Sequence, residues 1–189
     1  MSQAVRDAFD AIIYERLSLL IVGSTSSGKT TFAGAYGRRL IELWPAARVV
    51  TIEDTQELSV ESARSYLPLH TSENVSQRDL VRTGMRARPD VLVIGEVRGP
   101  EAIDMIMSLG TGHPGFSTVH GGSCRGGLTR VRQLCRLGDG GDTIGAEMIA
   151  DAIQYVALMR RLPDGSRIVA SLEKVCGFEN GRFQLDPVT

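Results

Sequence analysis

The sequence predicts a three-layered α/β domain: a mainly parallel sheet with helices on both faces, ending in an antiparallel meander. Three observations predict it. Short apolar runs at 19–22, 48–53 and 91–95 alternate with helix-like stretches, the pattern of parallel strands joined by crossover helices. The first run feeds the Gly-rich turn Gly23-Ser24-Thr25-Ser26-Ser27-Gly28-Lys29-Thr30, which must lie between a strand and a helix. From Tyr155 on, β-rich runs are separated by the turn signals Pro163-Asp164-Gly165 and Asn180-Gly181. A chain of 189 residues accommodates one substantial domain with a proper core, so residues 1–189 read as a single unit.

The elements follow in order. Apolar residues at Val5, Ala8, Phe9, Ile12 and Ile13 give 1–15 the spacing of an amphipathic helix, expected across one edge of the sheet. The strand at 19–23 comes next, then a helix over 30–44 stopped by Pro45. Residues 48–53 are β-branched and apolar, a second core strand. Residues 55–73 carry weak periodicity and read mostly as loop, with a short strand near 66–71. Ser76 heads a helix with Asp79 in capping-box position, and Pro89 closes it. A strand at 91–95 leads to Glu96, and Pro100 occupies the first turn of a helix ending near Gly110. A strand at 115–120 and helices at 124–137 and 143–152 precede the meander.

Composition narrows the function classes. The formal net charge is −1, which argues against a field recruiting nucleic acid or an anionic membrane. The three cysteines are widely spaced without C-x-x-C, the usage of reduced cytosolic thiols rather than of a disulfide frame or zinc site. The longest apolar run, 17–22, is too short to cross a bilayer, and the expected location is cytoplasmic.

The Gly-rich turn fits G-x-x-x-x-G-K-[S/T] without mismatch. Gly23 and Gly28 let successive N–H groups curl round an anion, and the following helix adds its positive end. Ser24, Thr25, Ser26, Ser27 and Thr31 complete the expected phosphate cradle. Lys29 would reach the β/γ oxygens and the Thr30 hydroxyl would ligate Mg²⁺. Guanine-specific Asn-Lys-x-Asp does not occur, which tilts the reading towards ATP.

Ligands in open α/β sheets gather at the carboxyl ends of strands, and three further segments end strands with reactive groups. In Glu53-Asp54-Thr55-Gln56-Glu57, strand alternation sends Glu53 and Asp54 to opposite faces. The carboxylates, with Glu57 just beyond, would hold Mg²⁺ through water, orient an attacking water, or form a solvated acidic loop. In Val91-Leu92-Val93-Ile94-Gly95-Glu96, an apolar strand runs into a carboxylate as in a Walker B motif. Gly95 stands where an aspartate usually comes first, so Glu96 takes most of that work. Arg98 would answer phosphate charge or pair with Asp90 or Glu101. His113 and His120, framed by glycines, are placed to sense a γ-phosphate or are scaffold residues.

These boxes, Gly-x-x-x-x-Gly-Lys-Thr, Thr-Ile-Glu-Asp-Thr, Arg-Pro-Asp-x-x-x-x-Gly-Glu-Val-Arg-Gly and Thr-Gly-His-Pro-Gly…Thr-Val-His, together resemble the type II and type IV secretion ATPases. The likeness spans 19–122 and is greatest to the TrbB-like conjugative-transfer branch, whereas the pilus-retraction side tends to Gly-Glu-Met-Arg-Asp and Gly-His-Leu. It implies a RecA-like P-loop NTPase domain in a homohexameric ring, docked through inner-membrane secretion or conjugation subunits and peripheral to that membrane. ATP hydrolysis with Mg²⁺ would power substrate transfer or pilus assembly, without sequence-specific nucleic-acid binding. The alternatives are a nucleotide-gated assembly subunit with little hydrolysis, or a type IV pilus or type II secretion ATPase. By the same resemblance Lys29 and Thr30 bind phosphate and metal, Glu96 is the Walker B glutamate, Glu57 helps activate water, and His113 and His120 are the paired histidines. The family's N-terminal domain, which supplies arginines to the nucleotide, is expected to be absent, making hydrolysis by the chain alone slow.

Overall fold

The structure, a computed structural model, describes residues 1–58 and 63–188. Its elements are α1 Gln3–Tyr14, β1 Leu19–Gly23, α2 Lys29–Leu43, β2 Arg48–Glu53, β3 Ser65–His70, α3 Gln77–Arg86, β4 Val91–Ile94, α4 Glu101–Gly110, β5 Gly115–His120, α5 Cys124–Cys135, a 3₁₀ turn Gly141–Thr143, α6 Ala146–Ala152, β6 Tyr155–Arg161, β7 Arg167–Glu179 and β8 Arg182–Pro187. The strands form one sheet in the order β3-β2-β4-β5-β1-β6-β7-β8. Every pairing from β3 to β6 is parallel, and β6-β7 and β7-β8 are antiparallel.

Strand alternation sorts the core into two layers. Leu19, Ile21, Val91 and Val93 face α1 and α2, packing with Phe9, Ile12, Tyr36 and Phe116. Leu20, Val22, Leu92 and Ile94 face the other way, into the side chains of α3 to α6 such as Leu80, Ile106, Leu128 and Ile149. Strands buried on both faces need continuous apolar runs, which is why β1 and β4 carry them. Among the described residues, no helix is long and apolar enough to cross a membrane. Cys124 and Cys135 are free and buried, and Cys176 is free and exposed.

Two expectations need correction. Helix α1 does not lie across a sheet edge: its buried Phe9, Ile12 and Ile13 join α2 over the central strands β1 and β5. An amphipathic stripe tells a helix to bury one face but not where on the sheet. Helix α6 begins at Ala146 rather than near 143, because residues 141–143 form a separate 3₁₀ turn. The capping box of Ser76 and Asp79 is present, with both reciprocal bonds made. Of the expected loop over 55–73, positions 59–62 lie outside the described residues, and the short strand within it is β3.

Candidate functional site

The carboxyl ends of β2, β4, β5 and β1 lie side by side, with Ile52 beside Ile94, Ile94 beside Ser117 and Gly23 beside His120. At this edge the Gly-rich turn leaves β1 and enters α2. Its N-cap is Gly28, with φ 92° and no side-chain capping bond. The first N–H groups of a helix have no intrahelical partner, so a glycine cap leaves them directed at whatever sits in the loop. Ser26 adopts φ 61°, an uncommon angle for a residue with a side chain, and the loop holds it.

Lys29 is only 7% exposed, and its Nζ donates to the Gly23 and Ser24 carbonyls at 3.1 Å each. Burial pulls its pKa below the usual lysine value, with the nearby Glu96 charge acting the other way. Nζ also lies 3.4 Å from His120 Nδ1. An ammonium can only donate, so Nδ1 accepts; on the other side of the ring Nε2 lies 2.8 Å from Glu96 Oε1, in contact but not aligned as a hydrogen bond. Lys29, His120 and Glu96 thus form one connected row across three strand ends.

Glu96 is fixed from several sides. Thr118 Oγ1 donates to the Gly95 carbonyl at 2.8 Å, and Gln77 Nε2 donates to the Glu96 carbonyl at 3.0 Å. Arg98 Nε and Nη2 both donate to Glu96 Oε2. Oε1 is buried and accepts no hydrogen bond within the described residues, despite its proximity to His120. A buried carboxylate oxygen left without a donor is costly, and such atoms recur where a ligand or water completes the site.

A cavity beside Glu96 is lined by Thr30, Glu53, Asp54, Thr55, Glu57, Gly95, Glu96 and Arg98. Asp54 and Glu53 both reach it because β2 ends at Glu53 and the chain bends there, breaking the alternation that would have separated them. Glu53 is 4% exposed, and its carboxylate accepts from the backbone N–H groups of Glu57 and Leu58. A Cβ built on Gly95 would lie 2.9 Å from Glu53 Cγ and 3.1 Å from its Oε1. Glu53 therefore fills the space that an aspartate at 95 would occupy, and glycine is required for it to do so. Gly95→Ala is expected to cost roughly 1–3 kcal/mol of stability, read by urea denaturation, because the anchored Glu53 side chain has little freedom to withdraw.

Burial raises the Glu53 pKa above its ordinary 4.5, opposed by the two backbone hydrogen bonds. A raised folded-state value means that the native protein binds more protons than the unfolded chain as pH climbs past 4.5. Stability contributed by this group is present below that pH and is lost as pH rises through the raised value. Glu53→Gln, which does not titrate, should accordingly gain melting temperature on the parent as pH rises from about 4.5 to 7. A constant difference between the two across that range would show that Glu53 is not the titrating group.

Other candidate residues fall differently. Arg98 pairs with Glu96, not with Asp90 or Glu101: Glu101 instead accepts from the backbone N–H groups of Arg98 and Gly99, and Asp90 accepts from Arg48 N. His113 does not join His120. It precedes the amino end of β5 while His120 closes its carboxyl end, so at ~3.3 Å per strand residue the two are separated by roughly 20 Å. The spacing of seven that suggested a pair is taken up by β5 and the two residues before it. One neighbour of the loop escaped the sequence reading: Arg167 Nε, from β7, donates to the Ser26 carbonyl at 3.3 Å. A hairpin turn signal gives no indication of which loop the hairpin will overhang.

Sheet order and a glycine-capped turn at the carboxyl strand ends define a P-loop domain of the RecA-like α/β class. Residues 1–178 match the family described as Type II/IV secretion system protein, and the chain belongs to it. The conjugal transfer protein TrbB of Rhizobium radiobacter is 32% identical over 187 residues, covering 98% of this chain and 57% of TrbB. The type IV secretion system protein PtlH of Bordetella pertussis is 34% identical over 126 residues, 62% of this chain and 36% of PtlH. Among solved structures, the VirB11 ATPase of the Brucella suis type IV secretion system, in complex with sulphate, superposes with a TM-score of 0.80 at 25% identity. That match covers 90% of this chain and 52% of VirB11. The chain thus spans little more than half the length of TrbB and VirB11.

Proposed function

We propose that this chain is the ATP-hydrolysing domain of a conjugation or type IV secretion motor. The observation that carries the reading is the row Lys29–His120–Glu96 beside a glycine-capped helix start, with Glu96 on the wall of the carboxylate-lined cavity. Phosphate sits on the loop N–H groups and Lys29. A water between Glu96 and the terminal phosphate is oriented, and its proton accepted, by the Glu96 carboxylate, as in-line attack requires. Thr30 and Glu96, both on the cavity, are the oxygen donors that would hold Mg²⁺, with Glu53 beside them. Such an ion would supply charge neutralisation to the bound phosphates. Glu57 lines the same cavity and offers a second carboxylate for the water. Nucleotide binding in a homohexameric ring, and docking to inner-membrane subunits of the secretion machine from the cytoplasmic side, extend the reading to the assembled protein.

A specific contact favours a second reading, a nucleotide-gated assembly subunit with little turnover of its own. Arg98 occupies Glu96 Oε2, and it is the only cationic side chain lining the carboxylate cavity among the described residues. Phosphate release by the purified chain, together with its oligomer mass with and without ATP, separates the two. The motor reading expects measurable release and a nucleotide-stabilised ring. Binding without release, in a protein that stays monomeric, favours the assembly subunit.

A further inference from the structure

We propose that Arg167, on the β6–β7 hairpin, binds the nucleotide directly from the α-phosphate side of the loop, a contact in cis that the family boxes do not contain. The inference rests on the ATP-binding reading above.

Thr30 divides two cavities. One holds the carboxylates and Arg98; the other is lined by Ser26, Ser27, Gly28, Lys29, Thr31 and Arg167, with Thr30 shared. The first is where water and metal chemistry belong. The second is formed by the Gly-rich turn itself, whose N–H groups address the α and β phosphates. Arg167 is its only guanidinium. Its side chain runs across the loop so closely that a Cβ on Gly28 would lie 2.6 Å from Arg167 Cδ. Glycine at 28 thus serves both the positive φ and the passage of this arginine.

The guanidinium is available. It spends Nε on the Ser26 carbonyl, leaving Nη1 and Nη2 free, and it is exposed. Among the described residues no carboxylate lies within ion-pair distance of it, whereas Arg98, the other arginine at the loop, is held by Glu96. Its base is rigid. Arg167 is opposite Arg161 in the β6–β7 ladder, Leu162 N donates to the Ser166 carbonyl at 2.8 Å, and Asp164 Oδ1 accepts from both Ser166 N and Ser166 Oγ. A planar cation presented this way meets phosphate oxygens with little ordering cost.

The test is titration of the purified chain with mant-ADP and mant-ATP in the presence of Mg²⁺, for the parent, Arg167→Ala and Arg167→Lys, with melting temperature measured with and without ADP. Arg167→Ala should weaken ADP and ATP equally, by roughly ten-fold or more, the scale of a charge-assisted hydrogen bond. Arg167→Lys should recover part of that loss. The nucleotide-free melting temperature should stay at the parent value while the ADP-induced rise shrinks. Equal affinity of parent and Arg167→Ala would overturn the assignment, as would a loss confined to ATP, which would move the contact to the γ side. A lower nucleotide-free melting temperature with the ADP-induced rise intact would reduce Arg167 to a loop brace. If the parent bound neither nucleotide, the functional reading itself would fall and this inference with it.

Discussion

Glu96→Gln should bind ATP with near-parental affinity and lose at least about a hundred-fold in phosphate release, the usual contribution of a positioned general base. The substitution keeps the side-chain shape. It also keeps an oxygen able to face Arg98 or the cavity, so the loop from Gly95 to Gly99 retains its backbone anchors to Thr118 and Glu101. What disappears is the anionic acceptor in front of the cavity, and with it the means of taking a proton from water. Fluorescent-nucleotide binding and a phosphate-release assay on the same preparation separate the effects. Parental turnover by Glu96→Gln would remove Glu96 from the chemistry and pass the role to Glu57, which shares the cavity.

Lys29→Ala acts one step earlier, on binding. The parent ammonium is buried at the heart of the turn and held by two carbonyls, so its charge is already in place when phosphate arrives. Its removal takes away the one cation inside the loop and leaves the Gly23 and Ser24 carbonyls facing the anion without a counter-charge. Losing one preorganised electrostatic partner of this kind costs about 3 kcal/mol, or on the order of a hundred-fold in nucleotide affinity. Folding should survive, since burial of the Lys29 charge is itself unfavourable, as its lowered pKa records. A circular-dichroism melt alongside the titration checks this. Retained affinity with an intact fold would mean that nucleotide does not occupy the loop.

Much of this site was legible in one dimension because its parts are local. The turn from Gly23 to Thr30 needs only its own residues and the flanking strand and helix to be recognised. The strand leading to Glu96 announces itself by four apolar residues, then a glycine and a carboxylate. Strands β2 and β5 were read to their terminal residues, since β-branched and apolar side chains bounded by glycine or acidic clusters leave few other options. Where the reading failed, the missing information was non-local. His113 and His120 look like a pair until the extended strand between them is built, which carries one imidazole away from the phosphate edge. Arg98 had three carboxylates within sequence reach, and only the bend after β4 chose Glu96. Asp54 was assigned to the face opposite Glu53, but the alternation rule stops where the strand stops.

The sequence by itself determined the class of fold, the phosphate-binding turn and the carboxylate beside it, because periodicity and short motifs are properties of neighbouring residues. Only the tertiary structure decided which groups share the cavity. Glu53 entering the space left by Gly95, His120 bridging Lys29 to Glu96, and Arg167 lying across Gly28 each join segments far apart in the chain. Their meeting depends on strand order and on the angle at which a hairpin leaves the sheet, and neither is encoded in a local pattern.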